Sequence, residues 1–156
     1  MSNVEQTILR NVLTNEPYMR KVLPFIQPTY FQGVYNLLFK EAGKYVGKYN
    51  TLPTKDALKI EVDDSDSFSD DHYQSAMEII PLLFEKDDAD QEWLIKATEK
   101  WCQDRALYLA LMSSIKIAEG NDEQRAAGAI PSILSEALAV TFDNHIGHDY
   151  LEDYEE

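Results

Sequence analysis

Apolar side chains recur every three or four positions along most of the chain, and nowhere do they alternate with polar ones between hairpin turns. That pattern predicts an all-α fold. Ser2-Asn3-Val4-Glu5 has the form of a capping box, and Val4, Ile8, Leu9, Val12 and Leu13 follow at helical spacing, so a first helix should reach about Thr14. A short second helix is expected from Pro17 to Leu23, before Pro24 and Pro28 break the chain. Val34, Leu38, Ala42, Tyr45, Val46 and Tyr49 make a third stripe, although Gly33, Gly43 and Gly47 lower helix propensity there. Thr54 caps a helix through Val62, and Ser69 caps another from Asp70 toward Phe84, with Pro81 expected to distort its last turn. Residues 1–86 thus read as a small helical bundle.

The longest uninterrupted helical pattern starts near Asp90, and Gly120 is placed as its stop. About 30 helical residues span ~45 Å, more than the width of a globule of this size. The run Ala106-Leu107-Tyr108-Leu109-Ala110-Leu111-Met112 is apolar on every face, with Ile115, Ile117 and Ala118 extending it. A helix apolar all round is buried all round. The stripe Ile130, Ile133, Leu134, Ala137, Leu138 and Phe142, with Pro131 in its first turn, supplies one partner and makes residues 90–142 an antiparallel helical hairpin. One helix covers only one side, so the rest meets either the N-terminal bundle or another copy of the chain. Self-association is the expectation, with Leu107, Tyr108, Leu111, Met112, Ile115, Ile133, Leu134 and Leu138 as its interface.

Charge divides the chain. Of 28 acids and 14 bases, residues 1–60 hold 4 acids and 8 bases (+4), leaving 24 acids and 6 bases (−18) in residues 61–156. The net charge of −14 excludes general wrapping of nucleic acid, whose affinity rests on Lys and Arg. The 44% apolar content excludes disorder as the cause of the acidity. Cys102 is the only cysteine, which rules out an intrachain disulfide and a cysteine zinc cluster and suits a reducing compartment. The N-terminus carries no basic or apolar leader segment, and no apolar run approaches membrane-spanning length, so a cytosolic, soluble protein without membrane contact is expected.

Candidate chemistry is sparse. The stretch from Asp63 to Asp71 alternates carboxylates as a calcium loop would, but it lacks the turn glycine and distal glutamate, and reads as an exposed loop before the Ser69 cap. His145, His148 and Asp149 form an incomplete ligand set and read as a solvated linker. His72 stands beside two aspartates at a helix start, and Cys102 has no histidine base near it in sequence, so it reads as a packed thiol. Trp93 and Trp101 lie within about 80° of each other on one helix and are expected to anchor it to the N-terminal bundle. No phosphate-binding loop, nucleophile elbow or zinc-protease helix occurs.

Several segments carry a family resemblance. Gly128-Ala129-Ile130-Pro131-Ser132-Ile133-Leu134, then Ala137-Leu138, Phe142-Asp143, Gly147-His148-Asp149 and Asp153-Tyr154-Glu155 resemble the junction between N-terminal domain and linker in DnaB-type replicative helicases of large tailed phages. Trp93-Leu94-Ile95-Lys96, Thr98-Glu99, and Gln103 with Arg105-Ala106 are similar to the long helix of that domain, and Tyr30-Phe31 and Leu52-Pro53 also fit. The resemblance implies a helicase N-terminal domain over residues 1–142. Residues 143–156 would be the linker and the start of a linker helix, with Gly147, His148, Asp149, Tyr150, Leu151 and Tyr154 leading toward an ATPase domain outside this chain. It further implies a non-catalytic collar that pairs through hairpins into dimers up to hexamers, docks DNA primase or a helicase loader, and meets DNA only through the full-length ring. ATP and magnesium would belong to the missing domain, and the setting would be the cytoplasm of an infected bacterium. Two other readings compete: a stand-alone acidic phage DNA mimic or inhibitor, and a small all-α enzyme using carboxylates, for which no acid pair has a defining spacing.

Overall fold

The computed structural model describes residues 3–86, 88–120 and 127–142, and every regular element among them is helical. The all-α expectation holds. The chain divides into two compact units, Met1–Leu94 and Ile95–Glu156.

The first unit is a bundle of five helices: α1 (Asn3–Thr14), α2 (Glu16–Val22), α3 (Val34–Tyr49), α4 (Lys55–Asp64) and α5 (Asp70–Leu83), with short 3₁₀ turns at Leu23–Phe25 and Pro28–Tyr30. Helix α1 packs on α2, α3 and α5, while α4 packs on α3 and α5. Leu9, Tyr18, Leu38, Leu58 and Ile80 are completely buried, one from each helix, so a single core joins all five. Phe31 and Phe39 stack at 5.0 Å between ring centroids.

Local chemistry sets the boundaries. Asn15 precedes α2 and accepts the Tyr18 N–H at 3.1 Å, which starts the helix one residue before the expected Pro17. Thr54 accepts the Ala57 N–H at 3.0 Å, and Ser69 accepts the His72 N–H at 3.1 Å. Helix α3 runs through Gly43 and Gly47 without interruption and ends at Asn50 in the left-handed region, φ 56°. Pro81 lies inside α5, which closes two residues later at Leu83.

The Glu5 carboxylate, anticipated as half of a capping box with Ser2, is buried and makes a tertiary contact that the local pattern does not show: it accepts the Gln32 backbone N–H at 3.2 Å and the Gln32 side-chain amide at 3.4 Å. Ser2 lies outside the described residues. A carboxylate sealed from water takes whichever donors the core offers, and here the turn before α3 offers two.

Helix α6 (Gln91–Ala118) begins in the first unit and continues through the second. Asp90 accepts the Trp93 N–H at 2.9 Å at its start. Gly120, at φ +78°, ends it as expected, with its N–H bonded to Ile117 O. A 3₁₀ turn (Ala127–Ala129) leads into α7 (Ile130–Leu138), whose second residue is Pro131. The stripe expected to be helical to Phe142 stops being so at Leu138, yet Phe142 is 1% exposed. No helix among the described residues is long and apolar enough to cross a membrane.

Candidate oligomer interface

Helix α6 is apolar on two sides, and the two sides have different fates. One stripe is buried: Thr98, Cys102, Ala110 and Ile117. Across the helix, Tyr108, Leu111, Met112 and Ile115 recur at i, i+3, i+4 and i+7 and are 46–51% exposed. Leu138 on α7 is 71% exposed. Of the other residues expected at an interface, Leu107, Ile133 and Leu134 are half-buried. Arg105 lays its guanidinium 5.0 Å from the Tyr108 ring centroid, so the near end of the stripe is an aromatic ring with one face toward a cation.

The return of the chain is fixed by polar contacts. Glu99 Oε2 accepts the Thr141 hydroxyl and the Phe142 N–H, both at 2.9 Å, and Gln103 Nε2 donates to Val140 O at 3.0 Å. Gly120 stands at the far end of α6, about 30 Å along the helix from Glu99, against which Thr141 and Phe142 lie. Sequence reasoning missed this pair of polar anchors. The available signal was their placement: Glu99 and Gln103 are one turn apart on the stripe that continues through Ala106, Ala110 and Ile117, where polar residues need partners.

Other candidates resolve individually. Burial pushes the Cys102 thiol up to about 12, with the Glu99 charge adding to the effect, so it stays protonated and unreactive at neutral pH. Trp93 is 59% exposed and does not serve as the expected anchor; Trp101 is half-buried. The Tyr73 hydroxyl donates to Asp63 at 2.6 Å, which raises its own phenol pKa through that hydrogen bond first. No three His, Cys, Asp or Glu side chains converge on a possible metal position among the described residues. Ser114 Oγ is buried on α6 with no hydrogen-bond partner among the described residues. His145, Gly147, His148, Asp149, Tyr150, Leu151 and Tyr154 lie outside the described residues.

No protein-family model matches the chain. In direct comparison it is 34% identical, over 159 aligned residues and 96% of its own length, to the DnaB-like replicative helicase of Enterobacteria phage T4. The chain spans about a third (33%) of the length of that relative. The resemblance to phage DnaB-type helicases expected from the motifs therefore extends over nearly the whole chain.

Proposed function

We propose, from that similarity to a DnaB-like replicative helicase, that this chain is the non-catalytic N-terminal collar domain of such a helicase and builds its ring through the α6–α7 region. The parent protein unwinds DNA with ATP and magnesium held in a separate ATPase domain, in the cytoplasm of the infected host. Residues 1–142 form the domain and 143–156 lead into the linker. The collar docks primase or a loader and meets DNA only as part of the ring.

The observation that carries the reading is the half-exposed stripe Tyr108, Leu111, Met112 and Ile115 on a helix whose other side is already buried. Four large apolar side chains at heptad-like spacing left in water favour a second helix of the same kind against them. An antiparallel α6–α7 hairpin meeting its equivalent in another copy covers that stripe on both partners at once, because a two-fold contact uses the same patch twice. Size-exclusion with light scattering tests this directly: dimers or higher assemblies at high concentration support it, and a strict monomer sinks it.

A further inference from the structure

The exposed stripe of α6 has an internal symmetry. Tyr108, Leu111, Met112 and Ile115 are separated by three, one and three positions, a spacing that reads the same from either end of the helix. Its midpoint falls between Leu111 and Met112. A second copy laid antiparallel about a two-fold axis at that midpoint sets Tyr108 opposite the partner's Ile115, and keeps Leu111 and Met112 each beside its own counterpart.

Charge at the two ends of the stripe decides between orientations. Arg105, Met112 and Glu119 follow one another at intervals of seven, which puts them in one line along one flank of the stripe. Arg105 is half-buried, with its guanidinium 5.0 Å from the Tyr108 ring centroid. Glu119 is exposed, and its backbone N–H still follows the helix, bonded to Ile115 O at 2.9 Å. A two-fold axis keeps this flank on the same side in both copies. At 1.5 Å per residue, Arg105 lies about 10 Å to one side of the midpoint and Glu119 about 11 Å to the other, so antiparallel copies bring each arginine level with the partner's Glu119. Parallel copies would set arginine on arginine and glutamate on glutamate. Asp104, the acid at the arginine end, lies on the Leu111 flank and is held by Lys100 at 2.8 Å.

We infer that the partner covering this stripe is a second copy of the chain in antiparallel register, centred between Leu111 and Met112 and held at each end by an Arg105–Glu119 ion pair. The inference rests on the self-association proposed above, and adds its orientation and the charges that select it. Apolar contact attracts in either orientation, whereas the two ion pairs reject the parallel one and the shifted registers. Sliding the copies by one helical turn pulls each pair apart by about 5 Å.

Two measurements on the whole chain test it. Chains carrying Tyr108→Cys and chains carrying Ile115→Cys, mixed and oxidised, are expected to give a disulfide dimer on a non-reducing gel. Neither alone should do so, because like positions lie about 10 Å apart along the axis. Cys102 is buried and stays in place. In sedimentation equilibrium Glu119→Arg should weaken association about fivefold or more, since two attractions become repulsions, and adding Arg105→Glu should restore most of the loss. Such rescue excludes a simple folding defect. Self-linking of Tyr108→Cys, no dimer from the mixture, or a double variant no stronger than the single overturns this register while self-association stands. A wild-type chain that stays monomeric overturns both.

Discussion

The Glu99 carboxylate on α6 accepts the backbone N–H of Phe142, a residue 43 positions later, at 2.9 Å. The same oxygen takes the Thr141 hydroxyl, so one side chain closes the return of the chain. Glu99→Ala leaves a buried N–H without its acceptor and should cost about 1–3 kcal/mol, whereas Glu99→Gln keeps an acceptor oxygen and should cost less. Urea unfolding of the three proteins, followed by far-ultraviolet circular dichroism, separates these outcomes. Equal stability of wild type and alanine variant would mean that water replaces the carboxylate without loss.

Leu111→Asp places a charge in the middle of the exposed α6 stripe. If that stripe is the self-association surface, the substitution should weaken it by about thirtyfold or more, on the order of 2 kcal/mol at a central position. Lys116→Ala, on the same helix but outside the stripe, should leave the association unchanged. Sedimentation equilibrium of the two variants against wild type gives the comparison.

Cys102 should resist thiol reagents in the folded protein and react once unfolded, since burial pushes its thiol up to about 12 from an ordinary 9.0. The raised value also makes stability fall in alkali. Below pH 9 the thiol is protonated whether folded or not; between 9 and about 12 only the unfolded chain sheds the proton, by as much as about 1.4 kcal/mol per pH unit. Wild type should lose stability faster than Cys102→Ala between pH 9 and 11. Parallel decline of the two in thermal melts would remove the thiol as the cause.

Ser69→Ala removes the acceptor for the His72 N–H and should destabilise the first unit by about 1 kcal/mol, while Ser69→Asp should retain most of that stability. Chemical denaturation of both variants measures it. The aspartate also favours the helix N-terminus, but it stands beside Asp70 and Asp71, whose repulsion offsets part of that gain.

Elements whose ends are written in local chemistry are legible in the sequence. Thr54, Ser69 and Gly120 mark boundaries because a cap depends on a residue and its near neighbours. Contacts between distant residues are not legible in this way. Glu5 satisfies a capping pattern in the sequence, yet it bonds Gln32, 27 positions away, because the fold brings that donor to a buried carboxylate. Trp93 reads as an anchor because periodicity gives a face and not what lies against it; its exposure follows from tertiary packing that no local pattern encodes. The same limit holds for Phe142, which is buried although α7 has already ended at Leu138, its N–H held by Glu99 43 positions earlier.

The reach of the Glu99–Phe142 contact has a temporal side. At ribosomal speeds of about 5–20 residues per second, roughly 2–9 s separate the synthesis of the two residues. All of Met1–Leu94 is made before either residue, so the first bundle has everything it needs to fold while the return strap does not yet exist. The order of synthesis thus leaves the second unit incomplete while the first can already fold, so the apolar sides of α6 wait longest for their partners and are where premature association and chaperone capture compete.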